Sequence, residues 1–177
     1  MSEPVAPEPD RKDWTWSITE PCPHCGYDPA TVEPADVPDL VRRHTSAISA
    51  AVRRPDAGVR PQPDVWSALE YGCHVRDVCR IYRDRLALMR AEDDPLFANW
   101  DQDETALAER YWTQDPTSVA TQLRAGAAEL ATAFATVRAD EWQRPGRRSD
   151  GSAFTIDTFA RYLLHDLAHH AWDVRDS

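Results

Sequence analysis

The sequence predicts an all-α protein, a four-helix bundle with an irregular N-terminal segment packed on it. Three observations carry that expectation. Apolar residues recur at steps of three and four over long stretches. Those stretches are bracketed by capping residues and by proline- and glycine-bearing loops. No segment alternates with the period of two that a half-buried strand requires. The length of 177 residues suits one compact domain.

Residues 1–13 carry prolines and charges without apolar periodicity, and read as a disordered arm. Residues 14–34 interleave Trp14, Trp16, Ile18 and Tyr27 with prolines, which predicts an ordered, irregular segment whose aromatics bury against the main body. The bundle itself is expected over 35–177. Asp36 is placed to cap a first helix running to about Arg53, with Pro38 in the first turn, where its missing N–H costs nothing. Its inner stripe is Val37, Val41, His44, Ile48 and Ala51. After a loop with Pro55, Gly58, Pro61 and Pro63, Asp64 is expected to cap a helix from Val65 to about Arg90. Trp66, Leu69, Cys73, Ile81 and Met89 face inward on it, and His74 lies on the flank of that stripe. The stretch from Asp93 to Gln114 is mixed, with a short helix around Glu104 to Tyr111. Asp115 and Pro116 open the strongest helical signal, in which Val119, Leu123, Ala127, Leu130, Phe134 and Val137 repeat with helical spacing. Thr155 caps the last helix, which runs to about Val174 with Phe159, Tyr162, Leu163 and His169 buried.

Charge narrows the partners. Thirty acidic residues against 20 basic ones give a formal charge of −10, and Lys12 is the sole lysine. Such a surface repels phosphate backbones and anionic lipid headgroups, so nucleic-acid and membrane-surface roles are disfavoured. No apolar run approaches the roughly 20 residues that span a bilayer, and the proline- and glutamate-rich start does not resemble a signal peptide. A cytoplasmic location is the expectation, which makes the four cysteines thiols or metal ligands before disulfides.

His165 and His169 are four apart in the last helix. At about 100° per residue that step returns two side chains to nearly one face, where they can chelate. His74, on an earlier helix, can complete a three-imidazole site, and facing helices of a bundle are a common place to build one. Three neutral ligands leave an open coordination position, which distinguishes a metal able to do chemistry from one that braces a fold. The competing reading is that each histidine is an ordinary core or surface residue. Glu70, Asp77 and Asp173 stand near enough in sequence to fix ligand tautomers through the other ring nitrogen, or to be solvated charges. His170 is rotated too far from His165 to share an ion with both members of the pair, and His44 is a substrate-facing candidate.

Cys22-Pro23-His24-Cys25-Gly26 spells half of a zinc knuckle and also a redox tetrapeptide. The flanking prolines argue against the strand and helix that a redox motif needs. A tight structural turn is favoured, ahead of a local disulfide or a metal-assisted turn. Cys73 and Cys79 do not form a convincing second pair, and Cys73 reads as a small core residue.

The run from Val65 to His74, with Trp66-Ser67, Glu70 and His74, together with His165 and His169, resembles the DinB-like family of metal-binding four-helix bundles. That group also takes in mycothiol-dependent S-transferases and a maleylpyruvate isomerase. The segments Trp100–Asp103, Glu109–Tyr111 and Gly146–Gly151 are similar to loops of its actinobacterial members. The resemblance implies His74, His165 and His169 as ligands of one divalent ion, zinc or nickel, and a homodimer. It further implies a small thiol of the mycothiol type and an electrophile as substrates. A cation behind neutral ligands delivers a thiolate at neutral pH, which favours S-transfer or thiol-assisted isomerisation over hydrolysis. The alternative is a non-enzymatic protein in which the ion only ties helices together.

Overall fold

The structure is a computed structural model that describes residues 13–175. Apart from Asp13, the arm expected over 1–13 lies outside the described residues. Four long helices form the bundle: α1 Val37–Val52, α2 Ala68–Ala91, α4 Pro116–Ala135 and α5 Ile156–Asp173, with a short α3 at Gln102–Ala108. Helix α4 packs against both α1 and α2, and α1 packs against α5. Among the described residues no helix is long and apolar enough to cross a membrane.

The helix starts follow local chemistry. Asp115 accepts a hydrogen bond from the Ser118 amide at 2.7 Å, and Thr155 caps α5 by accepting from the Thr158 amide at 3.2 Å. One expected start shifts, and at another the expected cap is absent although the helix begins where predicted. Helix α2 begins three residues after Val65, because Ser67 and Glu70 form a reciprocal capping box that fixes the first turn there. Asp36 makes no side-chain cap. It ends a 3-10 turn at Pro34–Asp36 and already has helical backbone angles, so its carboxylate is not aimed at the orphan amides.

The core is built from the expected stripes with local changes of phase. Val119, Leu123, Ala127, Leu130 and Phe134 are buried along α4, whereas Val137 lies beyond the helix end and is partly exposed. On α2 the buried position is Tyr82, not its neighbour Ile81. On α1, His44 is half-buried, and Thr45 takes the inner position by donating its hydroxyl to the Val41 carbonyl at 2.7 Å.

A small sheet escapes the sequence pattern. β1 (Leu96–Phe97) pairs in parallel with β2 (Pro145–Arg148), which pairs antiparallel with β3 (Ala153–Thr155). Strands of two to four residues are too short to show alternation. Gly151, at φ +98°, turns the β2–β3 hairpin. The N-terminal segment lies along α5 through a 3-10 turn at Thr15–Ile18.

Candidate metal centre

Helix α5 presents two ligand pairs one residue out of phase. His165 and His169 form one, and Asp166 and His170 the other. A wheel anchored on the buried residues Phe159, Leu163 and Leu167 shows the consequence. At about 100° per residue, Asp166 and His170 fall at the edge of the core-facing stripe, while His165 and His169 fall on nearly the opposite side of the helix.

The edge pair meets His74. His74, Asp166 and His170 each offer a ligand atom within 4.8 Å of the others. Asp166 turns one carboxylate oxygen to His170 Nε2 at 3.3 Å and the other to His74 Nε2 at 3.9 Å. His170 Nδ1 lies 2.9 Å from Asp173 Oδ2. An ionised carboxylate only accepts, so Nδ1 carries the hydrogen there and Nε2 faces the cluster. Burial alone would depress His170, but the charges of Asp166 and Asp173 and the hydrogen bonds to them raise its pKa to about 10. Asp166 goes the other way: burial opposes its charge, but His170 and His74 hold its carboxyl well below the usual range.

His74 is 1% exposed, and neither of its ring nitrogens has a hydrogen-bond partner among the described residues. A buried imidazole without partners loses the solvation of both polar atoms. Burial accordingly lowers its pKa, so the ring is neutral and has a lone pair to give. Trp100 stacks on it with ring centres 5.4 Å apart and planes within 6°, and Trp66 leans on it at 5.5 Å. The ring is therefore fixed before any ligand arrives. Two imidazoles and a carboxylate suit a divalent transition ion, and the quarter-exposed Asp166 leaves the cluster reachable from solvent.

The carboxylates near His74 in sequence are engaged elsewhere. Glu70, 1% exposed, accepts from the Ser67 amide and hydroxyl at 2.9 and 2.8 Å and from Arg60 Nε at 2.9 Å. Asp77 accepts from the Tyr111 hydroxyl at 2.6 Å and from Arg76. His44 belongs to neither cluster.

The structure thus divides the expected triplet of His74, His165 and His169. His165 and His169 group instead with Cys22 and Cys25, again with all four ligand atoms within 4.8 Å of one another. Sequence reasoning passes over Asp166, although its spacing to His170 repeats that of His165 to His169. Phasing α5 on Phe159, Leu163 and Leu167 is the signal that selects it.

The back pair is covered by the N-terminal segment. Trp14, Trp16 and Tyr27 surround the His165 ring at centre distances of 5.5, 5.5 and 5.8 Å. The Tyr27 hydroxyl donates to the Arg161 carbonyl at 3.0 Å, and the Arg161 guanidinium donates to the Pro29 carbonyl. Burial lowers the pKa of His165 to about 4, with the His169 charge adding to the effect. Cys73 and Cys79 are buried and fully inside the bundle, and burial pushes both thiols up to about 12, which leaves them inert as nucleophiles.

Comparison with known proteins bears on this arrangement. The sequence profile described as the DinB superfamily matches residues 36–174. No curated protein matches the chain. Among solved structures the fold is similar to YfiT from Bacillus subtilis, described as a probable metal-dependent hydrolase with an unusual four-helix bundle topology. The TM-score is 0.74 at 16% identity, covering 85% of this chain and 90% of YfiT.

Proposed function

From the premise that the chain belongs to the DinB superfamily, we propose that it is a metal-dependent enzyme acting on a small hydrophilic thiol of the mycothiol type. His74, Asp166 and His170 hold its divalent ion, zinc or nickel. The observation that carries this reading is the buried His74 ring, without a hydrogen-bond partner among the described residues, whose Nε2 faces the Asp166 carboxylate in a group that also holds His170. A divalent ion that displaces the Nε2 proton of His170 would sit on two neutral imidazoles and one carboxylate and keep a net positive charge, and when bound it supplies the Lewis acidity that turns a thiol into a thiolate at neutral pH.

The chain's own residues do the rest. Trp66 and Trp100 hold the His74 ring in place. Asp173 fixes the tautomer of His170. A groove of about 580 Å³ is lined by Trp14, Arg148, Asp150, Ser152 and Tyr162. Its hydroxyl, carboxylate and guanidinium groups suit a cosubstrate rich in hydroxyls. The reaction joins the thiol sulfur to an electrophilic carbon, the thiol proton goes to solvent, and the leaving group departs with its electron pair.

The test is conjugation of a hydrophilic thiol to a chloronitroarene by the zinc- or nickel-loaded protein. His170→Ala is expected to slow it by about 100-fold or more, with helical circular dichroism retained. A loaded wild-type protein that binds metal through these three residues yet never exceeds the uncatalysed rate overturns the thiol reading. Ester cleavage by that same protein would then support water as the nucleophile.

A further inference from the structure

We propose that Cys22, Cys25, His165 and His169 form a second, structural metal site, a tetrahedral zinc clip that fastens the N-terminal segment to the outer face of α5. Neither thiol and neither of these histidines belongs to the His74 cluster.

Geometry supports the clip first. With Zn–S near 2.3 Å and Zn–N near 2.0–2.1 Å, the edges of a tetrahedral Cys₂His₂ site measure about 3.3–3.8 Å. Cys22 Sγ lies 3.6 Å from His169 Nδ1, which matches a sulfur–nitrogen edge, and all four ligand atoms fall within 4.8 Å of one another. His165 is 4% exposed and its Nε2 has no hydrogen-bond partner. A buried nitrogen without a hydrogen-bond partner among the described residues, grouped with two free cysteines and a second imidazole, is suited to serve as a metal ligand.

The backbone is shaped for it as well. The Cys22 amide donates to the Tyr27 carbonyl at 2.8 Å, and the Gly26 amide donates to the Cys22 carbonyl at 3.0 Å. Gly26 sits at φ +74°, a conformation that L side chains rarely adopt, so the chain reverses directly after Cys25. That reversal turns both sulfurs toward one point on α5. Two cysteines with a two-residue spacer and two histidines four apart are the ligand spacings that structural zinc sites use.

Charge then separates the two sites. Two thiolates and two neutral imidazoles cancel a divalent cation, and four protein ligands close the tetrahedron, as in sites that brace folds. The His74 cluster supplies three ligands and one negative charge, which leaves a position and a net charge for substrate. Residues 14–34 contain no α-helix or strand, only 3-10 turns and loops. A segment of that kind gains most from a crosslink. Each cysteine releases its proton to solvent on ligation.

Cobalt(II) substitution tests the clip in the full chain. The loaded protein should show sulfur-to-cobalt charge-transfer absorption with tetrahedral d–d bands. Zinc content should be about two equivalents per chain, falling to about one in Cys22→Ser/Cys25→Ser, with loss of the charge-transfer bands. His74→Ala/His170→Ala should also fall to about one, yet keep those bands. Removing the clip zinc should speed proteolysis within residues 14–34 while the helical signal persists. The proposal is overturned if the cobalt spectrum lacks sulfur charge transfer. It is equally overturned if thiols in anaerobically purified wild-type protein alkylate at the same rate with and without zinc. Should the double cysteine variant misfold, the wild-type spectrum and alkylation rates decide the matter alone.

Discussion

Gly72→Ala probes the packing that delivers His74 to its cluster. Gly72 lies in the second turn of α2, two residues before His74, where α1 crosses closely. On an exposed helix the change would stabilise by about 0.8–1.0 kcal/mol, the propensity difference between alanine and glycine. Here a Cβ would sit inside 3.0 Å of Val52 Cγ2, 3.4 Å from Val119 Cγ1 and 3.6 Å from Val52 Cβ, whereas carbon pairs rest at about 3.5–4.0 Å. Val52 is fully buried and β-branched, with one favoured rotamer in a helix, so it has no ready way to withdraw. Overpacking of this kind costs about 1–3 kcal/mol or more. Taking the upper end and subtracting the propensity gain gives a net destabilisation of about 2 kcal/mol. Urea unfolding of chelator-treated protein measures it without the contribution of bound metal. With a slope of about 2 kcal/mol per molar, the midpoint should fall by about 1 M. Val52→Ala removes the obstructing methyl, so the double variant should show a favourable coupling of at least about 1 kcal/mol. A Gly72→Ala protein as stable as wild type, or more stable, would refute the reasoning.

Two further substitutions test the buried polar contacts that flank the centre. Tyr111→Phe removes a hydroxyl that donates to Asp77 at 2.6 Å from a fully buried ring. Asp77 keeps Arg76, so urea melts should report a loss of about 1.5–3 kcal/mol, the range for hydrogen bonds to charged groups, and an unchanged midpoint would show the bond to be idle. Arg60→Met leaves Glu70 buried and charged, with Ser67 as its remaining partner in the capping box. Loss of such a pair costs up to about 3–5 kcal/mol, less here because Arg60 keeps some solvent contact, and adding Glu70→Gln should recover part of it. Equal thermal midpoints for the single and double variants would exclude an uncompensated charge as the cause.

The bundle was legible because its signals are local. Asp115 and Thr155 cap helices where their sequence context says they should, and the α4 stripe is buried from Val119 to Phe134. The start of α2 was misplaced because Ser67 and Glu70 together satisfy two orphan amides, a stronger signal than the single carboxylate of Asp64. The three strands are invisible because they are too short to alternate, and β1 is defined only by pairing with a segment some 50 residues away. The candidate cluster is only partly legible. The sequence points to His74, but the run His165-Asp166-Leu167-Ala168-His169-His170 contains two pairs of potential ligands with identical spacing. Spacing is degenerate there, and phase against the core decides between the pairs.

That phase gives α5 two roles at once. Its core-edge side carries Asp166 and His170 toward His74 on α2, and its outer side carries His165 and His169 toward the cysteine turn. Asp173, one turn further on, lies between the two groups: one oxygen is hydrogen-bonded to His170 Nδ1 at 2.9 Å, and the other stands 3.9 Å from His169 Nε2, beyond hydrogen-bond reach. The N-terminal segment reaches the same helix, since Trp14 contacts His165 and His169 and also lines the groove beside Tyr162. In the proposed arrangement a fully ligated ion on the cysteine turn would hold Trp14, one wall of that groove, in place, whereas three ligands at His74 would leave a coordination position open.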